Sequence, residues 1–305
     1  MVSYNLDKIN EIRDNMDIFT LEKETQTVID ALIILLGLNV QTKTKTIKKE
    51  RSRNTSDKIW TRKEEFKITV MKKTEGVDEL LNILRGILNK ITVNNYELQS
   101  ENVYENINQL IEYQDEQFDD TIKYEKIIEC FLKVIINNRV YANIYAKLFS
   151  ELLDKYILLD DYRNYFLDNY EDNLTEINFV DPDEDYDKFC LINKQNEQRK
   201  SLLTFLVHSI PTEVHSFEDV KSILYRLFEK IEDNKDNKDD ININEEILEN
   251  IFVIFSEGQD IINKEVSKYE LINKIKYLTS LKISEHPGFS SRMRFKCMDI
   301  LDLYK

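Results

Sequence analysis

Five glycines and three prolines are all that the 305 residues contain. At ordinary frequencies of about 7% and 5%, a chain of this length would carry roughly 37 of the two together. Strand reversals draw on Gly, Asn-Gly or Pro, and doubly wound nucleotide folds open on a Gly-rich loop, so architectures made of many tight turns are excluded. What remains is an all-α chain whose connections are built from Asn and Asp. Hydrophobic residues make up 42% and aromatics 10%, enough for a core that hides about three quarters of the unfolded surface.

The clearest helical period runs over residues 77–91, where Val77, Leu80, Leu81, Leu84, Ile87, Leu88 and Ile91 recur at i, i+3, i+4 and i+7. Similar periods cover residues 122–136, 141–158, 189–210, 220–231, 247–255, 269–281 and 292–303. Ser216 and Asp219 have the spacing of a capping box, and Gly258 stands where a left-handed helix end would fall. Pro182, Pro211 and Pro287 lie between the periodic runs, where a missing N–H does least harm.

Composition divides the chain. Residues 1–40 form a short helical segment with its own apolar face. Residues 41–63 carry Lys43, Lys45, Lys48, Lys49, Arg51, Arg53, Lys58, Arg62 and Lys63 against only Glu50 and Asp57. They lack apolar periodicity and read as a basic flexible linker. That stretch is +7 and the remainder −22, within a net charge of −15. Residues 64–305 make the main domain, interrupted by an irregular acidic zone at 160–186 and an acidic surface loop at 232–244. At about 40 to 47 residues per helix pair, the main domain holds some five stacked antiparallel pairs, the size of a helical-repeat, HEAT-like solenoid.

Chemistry of its own is not expected. The glycines stand alone at 37, 76, 86, 258 and 288, so no phosphate cradle exists. His208, His215 and His286 read as surface or satisfied histidines, and Glu245, Glu246, Asp299 and Asp302 as solvent-facing acids. Cys130, Cys190 and Cys297 are odd in number with no C-x-x-C pair, so neither a disulfide framework nor a zinc site is expected. The chain is therefore read as a non-enzyme without metal or cofactor. No secretory signal and no apolar run of about 20 residues is visible, which places the protein in the cytoplasm. The basic stretch is either an RNA-phosphate contact or a solvated linker. Trp60, the one Trp, is either a packing cap or an exposed anchor for a partner.

Four segments carry a resemblance. LLNILRGILNKITVNNYE (residues 80–97) resembles the opening helix of the middle domain of translation initiation factor 4-gamma. FLKVIINNRVYANIYAKLFSEL (131–152), with its Tyr141-Ala142-Asn143 triplet, is similar to that domain's second helix pair. KFCLINKQNEQ (188–198) is similar to its Leu-Leu-Asn-Arg segment. SSRMRFKCMDILDLYK (290–305) resembles the closing Ser-Ser-Arg-Ile-Arg-Phe helix, with Tyr304 and Lys305 where the family has Arg. Trp60 stands where the family has a Trp followed by basic residues.

The resemblance implies a HEAT-like scaffold that binds and stimulates a DEAD-box RNA helicase, initiation factor 4A, and supports mRNA recruitment to the ribosome. It implies that Trp60, with Arg62, contacts one helicase lobe, and that the surface around Arg292, Arg294 and Phe295 meets the other. For Phe295 a core position is the preferred reading. RNA would be met through Lys43, Lys45, Lys48, Lys49, Arg51 and Arg53. A cap-binding protein would use a Tyr-x-x-x-x-Leu-apolar element; the nearest candidate, Tyr4 with Ile9, is followed by Asn10, and a plain amphipathic helix is preferred there. Related scaffolds of nonsense-mediated decay, nuclear cap binding and splicing are the alternative within the same superfamily.

Overall fold

The computed structural model describes residues 75–114, 118–174 and 176–305. Among them every regular element is helical and no strand occurs. The α-helices are α1 (Val77–Leu88), α2 (Tyr96–Glu112), α3 (Asp120–Ile135), α4 (Ala142–Lys155), α5 (Tyr165–Leu174), α6 (Tyr186–His208), α7 (Phe217–Asn234), α8 (Ile241–Glu257), α9 (Gln259–Ile262), α10 (Lys268–Ser280) and α11 (Ser291–Asp302). Short 3-10 turns at Val93–Asn95, Arg139–Tyr141 and Lys238–Asp240 lead into α2, α4 and α8.

Side chains supply the helix starts. Asp119 accepts from the Ile122 N–H, Asp185 from Lys188, Ser216 from Asp219 and Ser290 from Met293. Each such cap contributes about 1 kcal/mol. Both bonds of the Ser216–Asp219 capping box form, as the spacing predicts.

Five helices form an inner series in which α1 touches α3, α3 touches α6, α6 touches α8, and α8 touches α11. Their C-terminal ends meet along one edge. Asn138, just past α3, donates to Asn89 at the end of α1 at 3.2 Å. Arg139 and His208 both reach Glu257 at the end of α8, each at 3.3 Å. Gln259 donates to the Leu303 carbonyl, and the Tyr304 hydroxyl to that of Phe255 at 2.7 Å. The inner helices therefore run in one direction. Against them lie α2 on α1, α4 and α5 on α6, α7 on α8, and α10 on α11. Where α3, α4, α5 and α6 converge, Phe149 sits 6.2 Å from Phe131, 5.0 Å from Phe166 and 6.3 Å from Phe205 between ring centroids. All four rings are buried.

Several expectations are corrected. Helix α2 has no counterpart among the periodic runs, because its buried face mixes Val103, Ile107 and Leu110 with Ser100 and Asn106. The stretch 160–186, read as irregular, contains α5, which buries Phe166, Tyr170 and Leu174 at four-residue spacing. The acidic stretch 232–244 is not a long loop: α7 continues to Asn234 and α8 starts at Ile241. Asn244 is fully buried and donates to the Gly288 carbonyl at 3.0 Å, so a polar letter here belongs to the core. Gly258 ends α8 without a left-handed backbone, at φ −94°. Glu246 does not face solvent; only 14% of its side chain is exposed. The readings of residues 1–40 and 41–63 lie outside the described residues.

Two glycines yield opposite expectations. A Cβ at Gly86, inside α1, meets nothing within 4 Å. Gly86→Ala should therefore stabilise the fold by about 0.5–1 kcal/mol, read as a higher denaturant midpoint. A Cβ at Gly288 would press on the carbonyl oxygens of Asn234, Lys235 and Asn237. Gly288→Ala should cost about 1–3 kcal/mol. A Gly288→Ala midpoint at or above the wild-type value would contradict this close approach.

Candidate functional site

The closing helix α11 is set by Ser290, whose hydroxyl oxygen accepts the Met293 N–H at 3.1 Å. From there the helical period turns Met293, Cys297 and Ile300 inward. Phe295 falls on the opposite face and is 64% exposed, which overturns its reading as a core residue. Met298, one turn further along, is 45% exposed. Arg292 also points outward, with 68% of its side chain exposed, and pairs with Glu245 at 3.0 Å and Glu249 at 3.6 Å on α8. Lys296 pairs with Glu249 at 3.0 Å and lies 4.4 Å from the centre of the Phe252 ring. Arg294 instead turns back and donates to the Leu281 carbonyl. Of the three α11 residues singled out from sequence, Arg292 and Phe295 are on the surface and Arg294 is half-buried.

A second surface was not foreseen. The edge where the inner helices end carries a cleft of about 670 Å³ lined by Val93, Asn94, Tyr96, Leu98, Ile144 and Lys147, among others. Val93 is 75% exposed and Val140, in the neighbouring 3-10 turn, 86% exposed. The only signal in the sequence is a valine standing alone in each of two polar turns. Lys147 stacks on the Tyr96 ring at 4.0 Å, and Tyr96 and Tyr104 both donate to Glu151 at 2.7 Å. Burial and the Glu151 carboxylate push both phenols well above their ordinary range.

The remaining polar clusters stitch helices together. Tyr170, fully buried, donates to Asn250 at 3.1 Å, and Asn250 donates to the Glu246 carbonyl at 2.8 Å. Arg199 donates to Asn196 at 2.7 Å and to the Asn173 carbonyl at 3.1 Å. Burial raises the Glu246 carboxyl and lowers the Arg199 guanidinium from their ordinary values. These groups close on one another between α5, α6 and α8. Burial likewise pushes the Cys297 thiol up to about 12. Among the described residues no group of three His, Cys, Asp or Glu is placed to hold a metal ion.

His215 is buried between two turns. Its Nδ1 lies 2.7 Å from the Ser209 hydroxyl and its Nε2 3.0 Å from the Arg163 carbonyl. Arg163 in return donates to the Glu213 and Val214 carbonyls, each at 3.2 Å. The carbonyl can only accept, so Nε2 carries a proton and donates to Arg163.

Trp60, Arg62, Lys43, Lys45, Lys48, Lys49, Arg51 and Arg53 lie outside the described residues. No described helix is long and apolar enough to cross a membrane. A scan of protein-family models matches none of them, and a search of curated proteins finds no match.

Burial holds His215 below its ordinary value of 6.5. The unfolded chain therefore takes up this proton first, and stability should be lost as pH falls through about 6.5. Denaturant midpoints at about pH 7.5 and pH 5.5 test this, with His215→Gln expected to be weaker at both but to show a shallower drop between them. Equal drops would remove His215 from the pH dependence.

Proposed function

We propose that the chain is a translation-initiation scaffold that binds and stimulates a DEAD-box RNA helicase of the initiation factor 4A type. It would also meet RNA through Lys43, Lys45, Lys48, Lys49, Arg51 and Arg53, and so support recruitment of mRNA to the ribosome in the cytoplasm. The observation that carries the reading is the exposure of Phe295 within the segment that most resembles the closing helix of factor 4-gamma. A Phe left in water on the face opposite the buried stripe contributes nothing to the core and is suited to a partner's pocket. The one-way run of α1, α3, α6, α8 and α11 supports a HEAT-like solenoid as the frame.

Such a scaffold works by differential binding. It has no chemistry of its own and shifts its partner's conformational equilibrium by preferring one arrangement of the two helicase lobes. Trp60 and Arg62 would hold one lobe, and Arg292 with Phe295 the other. Arg294, half-buried and tied to Leu281, is assigned to holding α11 in place.

A pull-down with an initiation-type helicase, paired with its RNA-stimulated ATPase rate, tests this directly. The intact chain should bind and raise turnover, and no binding with no stimulation would sink the reading. Phe295→Ala should weaken the complex by about 2 kcal/mol, roughly thirtyfold in Kd, with an unchanged melting temperature. For the basic stretch, RNA affinity should fall steeply with salt, and salt-insensitive binding would exclude a phosphate-driven contact.

A further inference from the structure

Helix α11 begins with charges of the wrong sign. Its first turns carry Arg292, Arg294 and Lys296, and no acid stands in the first turn. A helix N-terminus bears a partial positive charge, so cations there destabilise the start unless something else neutralises them. The acids come from another helix. Glu245 and Glu249 lie one turn apart on α8, and both Glu245 oxygens are used. Oε1 accepts from the Ser290 hydroxyl at 2.7 Å, and Oε2 from Arg292 at 3.0 Å. Glu249 then takes Lys296 at 3.0 Å and Arg292 at 3.6 Å. Ser290 is also the residue that caps α11. A single α8 carboxylate thus holds both the cap and the first cation of α11. Glu245, Glu249, Ser290, Arg292 and Lys296 make a ladder along two helices running the same way.

From this ladder we infer that Glu245 and Glu249 are positioning residues for the partner-binding face. By anchoring the first turn of α11 on α8 they fix the direction in which Phe295 projects. Arg292 is then first a strut within the molecule, and its outward end is oriented by Glu245. The inference rests on the reading of α11 as a helicase-binding face, but its physical core is independent of any partner.

Two measurements separate the two. The first is hydrogen exchange at the α11 amides of Phe295 and Lys296. Glu245→Gln should speed exchange there by about tenfold, while the buried amides of α3 stay unchanged. The second is helicase affinity. Glu245→Gln should weaken binding by about three- to tenfold, and Glu245→Asp, which keeps the carboxylate and leaves Arg292 in place, should stay within about twofold of wild type. An affinity that follows the carboxylate while the melting temperature stays at the wild-type value is a readout that loss of overall stability would not give. Unchanged exchange in Glu245→Gln would overturn the positioning role outright. Faster exchange with unchanged affinity would overturn its relevance to the partner, provided Phe295→Ala still weakens binding. If Phe295→Ala binds as wild type does, the helicase reading of the face fails instead.

Discussion

Four phenylalanine rings from four helices meet at the middle of the described fold. Phe149 of α4 touches Phe131 of α3, Phe166 of α5 and Phe205 of α6, and Phe166 closes the set against Phe205 at 5.0 Å. The pairs of Phe149 with Phe166 and Phe205 are edge-to-face, an arrangement that adds about 0.5–1.5 kcal/mol each beyond the area buried. The position matters more than the sum. Helix α6 is the element through which α3 and α8 connect, and its Phe205 is in the cluster. The α1–α3 part and the α8–α11 part are thereby joined through one aromatic knot. Helix α5 has few other apolar residues, and it is held there by Phe166, with Tyr170 reaching on to Asn250 of α8.

A chain so short of glycine has to close its turns with side chains. Asn138 answers Asn89, Asn244 answers the Gly288 carbonyl, and His215 holds the Arg163 carbonyl while Arg163 holds those of Glu213 and Val214. Asn244 and His215 are buried, and a buried polar group costs about 1–3 kcal/mol when left without a partner, so their bonds also specify which turn meets which. The same logic governs α11, where charge borrowed from α8 does what local sequence does elsewhere.

How much of this could be read in advance follows from what periodicity can register. Helices α1, α3, α4, α6, α7, α8, α10 and α11 were all legible, because their buried positions are filled with Ile, Leu, Val and Phe at helical spacing. Helix α2 was not, since Ser100 and Asn106 occupy buried positions and break the apolar stripe. Helix α5 hid in an acidic stretch for a similar reason: only Phe166, Tyr170 and Leu174 are buried, and the intervening residues are polar. Asn244 and Asn250 look like loop letters but lie at 0% exposure inside α8. For the site, the closing segment was legible as a motif, but whether Phe295 faces inward or outward depends on helix phase. That phase is set by Met293, Cys297 and Ile300 packing inward. Glu245, which holds Arg292, sits 47 residues upstream, at a separation no local pattern can register.

Because α1, α3, α6, α8 and α11 all point the same way, the two edges of the stack are unequal. At their C-terminal edge the connections are short, and each is tied to its neighbour. At the other edge lies the long connection from α4 to α6, whose residues 181–185 are exposed throughout. The longest connection among the described residues lies on that side, so that edge can lengthen, vary or carry a label while the spacing of turns on the other stays fixed. A stack of this kind has a side that is free to change and a side that acts as a ruler.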